Sequence, residues 1–310
     1  MVIGLGLLAV SAVLLIAGAE LFIENVAGAA HRLGITVFAA AFLLAGAEPE
    51  EMITAVVASG RRRPGLAAGD AIGANLTMLT LVLGLAALAR PLPFGGRVRA
   101  YAVWSVVAGG LATLAVSTGK IERWQGALLL AAYLGGVALL WWRERQPPTI
   151  GELAEQGEDD DGKARSTALA LALAVGGLGL MVAGGWLAVG GAERVVAALS
   201  LSDTAVGLTL LALATTAELF ALAWSALRRG VGEIAVAGVV GSVAYNATAT
   251  LGAAALVRPL ATSGLLWPAL AAGALPLLLL TGTPHGKLGR GMGAALVVAY
   301  AAWVTAVLAC

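Results

Sequence analysis

The sequence predicts an all-α, polytopic membrane protein with ten transmembrane helices arranged as two inverted five-helix repeats. Three observations carry this. Of 310 residues, 60% are hydrophobic and only 12% charged, with a mean hydropathy of +0.92, against roughly a quarter charged in a soluble domain. Apolar windows of about 20 residues, the length that crosses a bilayer, recur along the chain. Shifting the sequence by 168 residues lays its first half on its second, Arg90-Pro91-Leu92 falling on Arg258-Pro259-Leu260.

The spans fall near 2–23, 35–59, 66–88, 100–118, 124–142, 167–192, 203–227, 232–256, 262–281 and 289–309. The first has no basic segment ahead of it and runs past signal-peptide length, so it is expected to be retained. The second is interrupted by Glu48-Pro49-Glu50-Glu51; the third opens at Gly69-Asp70 and the eighth carries Gly241-Ser242. Trp141 and Trp142 close the fifth as interfacial anchors. The sixth, LALALAVGGLGLMVAGGWLAVGG, is apolar on every side, which excludes a barrel strand of period two. The sizeable polar segment, 143–166, with its acidic run Glu158, Asp159, Asp160 and Asp161, is a solvated linker. The chain thus divides into a first five-helix unit at 1–142, the linker, and a second unit at 167–310, with the repeated cores at about 35–88 and 203–256. Connections after odd spans hold twelve Lys and Arg and those after even spans seven. The positive-inside rule therefore puts both termini outside and the acidic linker in the cytoplasm of a plasma-membrane protein.

Each half holds five spans, an odd number, so the second copy inserts upside down relative to the first. Inverted repeats mark secondary transporters, whose binding sites lie near the midplane where the copies meet. Leu33, Thr36, Glu50 and Gly73 fall on Leu201, Thr204, Glu218 and Gly241 without a gap. A carboxylate at the centre of a membrane helix costs about 2.5 to 3.5 kcal/mol and usually lines a polar pathway. Glu50 and Glu218 both lie near mid-span. Pro49 cannot donate to the carbonyl of Ala45, so the second span is expected to kink there and bare carbonyl oxygens, which suit a hard cation. Oxygen donors follow in Asn75 and Thr77, and in Thr215, Thr216, Ser242 and Asn246; the glycines at 73 and 241 allow close helix approach.

These two stretches resemble the alpha-repeats of the cation/calcium antiporter superfamily, the sodium/calcium exchangers and their proton-coupled relatives, whose repeats carry Gly-Thr-Ser-x-Pro-Glu and then Gly-Ser-Asn-x-x-Asn/Asp. The resemblance covers nearly the whole chain. It implies that Glu50 and Glu218 ligate the transported cation, joined by Thr215, Ser242 and Asn246 from the second repeat and Asn75 from the first. The first repeat departs from the pattern: Thr-Ser is Gly46-Ala47, the second serine is Ala74, the last Asn/Asp is Met78, and Glu48 is an added acid. In the second repeat, Ala217 replaces proline and Val243 asparagine.

Two carboxylates match one divalent cation, or two monovalent ions or protons. The expected function is therefore exchange of Ca2+ or another divalent cation for Na+ or H+ by alternating access, with the coupling ion open between the two. Glu48 is a candidate for direct transport or for a solvated structural role; Glu51 is expected to meet an arginine or a vestibule, and Asp70 to sit at a span start near the mouth. Glu20 and Glu24 are expected to meet water or Arg32, and His31 and His285 are isolated. Cations and the bilayer are the expected partners of what is read as a monomeric transport unit, with no resident cofactor. A net charge of +1 excludes a nucleic-acid surface. The single cysteine, Cys310, excludes a Cys-rich metal site and an intrachain disulfide. No HExxH, P-loop or Ser/His/Asp constellation points to an enzyme. The competing class is a non-transporting membrane scaffold that keeps the fold.

Overall fold

The computed structural model describes residues 1–32, 48–144, 167–229, 232–283 and 286–309. The linker from residue 145, the first part of the second span with Ala45, Gly46 and Ala47, and His285 lie outside the described residues, as do the side chains of His31 and Arg32. The helices are α1 Val2–Arg32, α2 Pro49–Gly60, α3 Pro64–Ala89, α4 Gly96–Ser117, α5 Arg123–Glu144, α6 Thr167–Leu199, α7 Asp203–Thr215, α8 Ala217–Arg229, α9 at 232–257, α10 Leu266–Gly282 and α11 Arg290–Ala309. Among the described residues, seven helices are long and apolar enough to cross a membrane, and the bent pair α7 and α8 adds an eighth.

Element bounds recur at the 168-residue spacing read in the sequence. Within α3, Pro64–Thr77 leads into a π-helical turn, Met78–Val82, and then Leu83–Ala89. Within α9, Gly232–Tyr245, Asn246–Thr250 and Leu251–Val257 repeat that order residue for residue. A third π-turn, Gly207–Leu211, lies in α7. Each π-turn carries a threonine, Thr80, Thr209 or Thr248, whose hydroxyl donates to the carbonyl four residues back. A π-turn moves the backbone N–H one residue along, so in a lipid environment the hydroxyl supplies the donor the backbone has withdrawn.

Four two-residue strands tie the halves together. β1 Leu92–Pro93 pairs antiparallel with β4 Lys287–Leu288, and β2 Lys120–Ile121 with β3 Leu260–Ala261. Each pair joins one half to the other, and each is extended by a further backbone bond, Phe94 to Gly286 and Thr262 to Gly119. Gly119 and Gly286 both take positive φ, +79° and +69°, in the turns that deliver β2 and β4, a conformation that costs a glycine nothing.

α3 and α9 form the centre. In their apolar windows 83% and 89% of the residues are buried, against 17–44% in the other five long helices. α1 and α6 run antiparallel on each other, Gly4 meeting Gly191 and Gly18 meeting Gly177 backbone to backbone. Small residues let backbones close in where lipid gives no hydrophobic drive for association. This pair docks mainly on α2, α7 and α8. Outward faces stay apolar, with Val175, Trp267 and Leu278 at least 60% exposed, as lipid contact requires.

Candidate functional site

The second and seventh spans are both broken at the position of their glutamates. Pro49 opens α2, so Glu48 sits just before the helix at φ −100°, ψ 77°, while Glu50 and Glu51 occupy its first turn. In the seventh span there is no proline. The chain nevertheless turns at Thr216, φ −81°, ψ 5°, and α8 leaves α7 at 42°, with Glu218 in its first turn. Carboxylates at helix N-termini face the positive end of the backbone dipole, which stabilises their charged form.

α3 and α9 supply the other walls. Glu48, Glu50 and Glu51 are each 1% exposed, Asp70 1%, Asn75 3%, Thr215 2%, Glu218 6%, and Ser242 and Asn246 fully buried. The Thr215 hydroxyl has Asp70 Oδ1 at 3.1 Å, with the carbonyls of Ala212 and Leu211 at 3.2 and 3.3 Å. Asn75 Nδ2 donates to the carbonyl of Val243 at 3.1 Å, reaching the residue that occupies its own place in the other half. Thr250 donates to Asn246 Oδ1 at 2.9 Å. Ser242 stands beside Glu48 and Asn246 beside Glu51, which also lies in the field of Glu48, Asp70 and Glu218. Among the described residues, no group closes a hydrogen bond on either carboxyl oxygen of Glu48 or Glu51, on Asp70 Oδ2 or on Asn75 Oδ1. Nor does an arginine or lysine pair with Glu48, Glu51 or Asp70. Buried carboxyl oxygens without donors in a membrane interior are costly, and cations are the groups that relieve that cost.

Every sequence-predicted site residue that is described therefore lies in the buried interior between α2, α3, α8 and α9. The arrangement corrects three expectations. Glu48 is buried rather than solvated. Glu51 meets other acids and an amide instead of an arginine, because the break at Pro49 takes Glu48 out of the helix and turns the first turn of α2 inward. Asp70 is at the site, not at the mouth: Gly69 and Gly73 bring α3 against the backbone of α7, a Cβ on Gly73 falling 2.5 Å from the Leu208 carbonyl oxygen. Glu20 and Glu24 are exposed, as expected.

Sequence reasoning missed the aromatic wall. Tyr245 donates to Met52 Sδ at 3.5 Å and takes the Tyr133 ring edge-on, centroids 5.2 Å apart, next to Glu50. A signal existed, since Tyr133 recurs as Tyr300, whose hydroxyl lies toward Thr77, the position matching Tyr245. Among the described residues no three Asp, Glu, His or Cys side chains converge closely enough to hold a metal by themselves, so amide and hydroxyl oxygens belong in any cation shell built here.

The profile described as "Sodium/calcium exchanger protein" matches residues 3–142 and 169–309. The putative antiporter CaxA of Alkalimonas amylolytica is 28% identical over 255 residues, 81% of this chain and 79% of its own. The inner membrane protein YrbG of Escherichia coli K12 is 29% identical over 231 residues, 69% of this chain and 67% of its own. An uncharacterized membrane protein of Methanocaldococcus jannaschii aligns over 97% of this chain and 96% of its own at 25% identity. The solved structure of the sodium-calcium exchanger NCX_Mj soaked with 100 mM Na+ and 10 mM Sr2+ has the same fold, with a TM-score of 0.64 at 22% identity over 98% of both chains.

Proposed function

The chain belongs to the sodium/calcium exchanger family, and from that membership we propose that it is a secondary active cation antiporter exchanging Ca2+ or another divalent cation for Na+ or H+ by alternating access. The family is one of transporters, not enzymes, and the chain is a multi-pass membrane protein. In this reading ten spans form two inverted five-helix units, 1–142 and 167–310, joined by a cytoplasmic linker in the plasma membrane, with both termini outside.

One observation carries the reading: Glu50 and Glu218, 168 residues apart, each begin a half-helix at the break of a membrane span and are buried together with the oxygens of Thr215, Ser242, Asn246 and Asn75. Two carboxylates neutralise one divalent cation on one leg of the cycle and two monovalent ions on the other. Calcium takes about six to eight oxygens, which the carboxylates, the amide and hydroxyl groups and backbone carbonyls near the breaks can approach. Glu48, from the first repeat, adds a carboxylate beside Ser242.

Purified protein in liposomes, given imposed Ca2+, Na+ and H+ gradients and followed with ion-sensitive dyes, tests this directly. We expect divalent influx driven by an opposing Na+ or H+ gradient, and a fall of about tenfold or more in Glu50→Gln and Glu218→Gln, since a charge-assisted contact is worth about 1.5–3 kcal/mol. Unchanged flux in both variants would reject the site, and a wild-type protein that moves no cation would leave a scaffold with the exchanger fold.

A further inference from the structure

The motif hydroxyls that the first repeat lacks leave its share of the site to be made by something else, and α3 offers Asp70. The repeat spacing puts Gly238 at the matching place in α9, so this carboxylate has no counterpart in the second half. It is 1% exposed in the most enclosed part of the molecule. Oδ1 accepts from Thr215, a residue of the proposed cation shell, and Oδ2 has no donor among the described residues. An aspartate kept only for packing or helix attachment would close both oxygens on donors, because an open one is expensive in a membrane interior. Asp70 also lies in the same field as Glu51 and, through Glu51, Glu218.

We propose that Asp70 is a further residue of the cation site, its Oδ1 fixing the Thr215 hydroxyl and its Oδ2 open to the ion, and that its charge biases the site toward divalent over monovalent cations. This rests on the exchange reading above and deepens it. Two physical steps support it. The Thr215 hydroxyl has one proton and three acceptors within 3.3 Å; a carboxylate is the strongest of them, so the proton goes to Asp70 and the oxygen lone pairs are left for the ion. The attraction of a fixed carboxylate scales with the charge of the cation, so its removal weakens a divalent ion twice as much as a monovalent one at the same place. The two halves then contribute differently: the first brings charge through Glu48, Glu50, Glu51 and Asp70, the second brings hydroxyls through Thr215 and Ser242.

Asp70→Asn separates the roles, because the amide oxygen can still accept from Thr215 while the charge is gone. Full-length wild type, Asp70→Asn, Thr215→Val and Glu218→Gln are compared in liposomes for apparent Ca2+ and Na+ constants, with the coupling proton followed by pH. The same constants are read independently from the cation-dependent rise of the melting temperature in detergent. In Asp70→Asn the Ca2+ constant should rise at least tenfold and the Na+ constant less than about threefold, with cation-free melting near the wild-type value; Thr215→Val should weaken both ions by similar, smaller factors. Equal shifts for the two ions, unchanged constants, or a loss confined to maximal rate or to melting temperature would overturn the proposal. If Glu218→Gln abolishes flux while Asp70→Asn leaves the ion ratio unchanged, the exchange reading stands and this inference alone fails. If the wild type neither transports nor is stabilised by any cation, both fail together.

Discussion

Asn75 illustrates how single side chains are set in this interior. Its amide nitrogen is spent on the Val243 carbonyl in the other half, which leaves Oδ1 open toward the acids. The donor fixes the orientation of the acceptor, so one residue both bridges the halves and presents an oxygen. Replacing it with alanine removes the oxygen and strands a buried carbonyl, a loss of about 1–3 kcal/mol. We expect Asn75→Ala to melt several degrees lower and to bind divalent cations several-fold more weakly, both read from melting curves with and without cation; unchanged melting would mean that the carbonyl of Val243 finds another donor. This residue was legible in the sequence because the Gly-x-Asn pattern sits where the repeat puts Gly-Ser-Val. Asp70 was not placed correctly, because its depth depends on Gly69 and Gly73 drawing α3 onto α7, a tertiary approach that composition does not encode.

At the scale of elements, that approach is the hinge on which the site depends. A Cβ at Gly73 would fall 2.5 Å from the Leu208 carbonyl oxygen and 2.7 Å from its carbonyl carbon. Backbone cannot rotate away as a side-chain tip can, so Gly73→Ala must push α3 off the π-turn of α7, at about 1–3 kcal/mol for overpacking. The expected result is a lower melting temperature together with loss of exchange, since Asp70 and Thr215 separate; Gly60→Ala, at a glycine with open space around it, is the control that should change neither. The same scale shows where sequence reading stops. The spans were legible because apolar windows report length directly, and the break at Pro49 because proline withdraws a donor. The break at Thr216 was not, since Thr-Thr-Ala can continue a helix and only the surrounding packing bends it. The π-turns were equally hidden from hydropathy, although threonines at 80, 209 and 248 in otherwise apolar runs are their trace.

Across the whole molecule the two halves match in elements but not in charge, and one consequence lies at the end of α6. Arg61 bonds Glu193 at 2.7 Å and stacks over Trp186 at 4.7 Å, while Arg63 reaches Glu193 at 3.1 Å and Asp203 at 3.5 Å. This fastens the connection between α2 and α3 to α6 and to the start of α7. The matching residues in the other half are Asn25 for Glu193 and Gly18 for Trp186, and Asn25 donates within its own helix, to Leu21. The α1–α6 pair is thus tied to the acid-bearing second span by ion pairs at one end only, the outer end under the proposed topology. Alternating access requires the two ends to open in turn, so a contact made at one end and absent at the other favours the arrangement in which that end is held. Half-exposed pairs of this kind are worth about 0.2–1 kcal/mol each, which converts to a several-fold change in population and is sensitive to salt. Glu193→Gln should therefore raise exchange rate several-fold at low ionic strength while leaving the apparent ion constants nearly unchanged, because Glu193 lies outside the site. High salt in the outer compartment should bring the wild type toward the variant and have little further effect on the variant itself. Identical salt responses in the two proteins would mean that the ion pairs hold both arrangements equally and that the charge difference between the halves sets no preference between them.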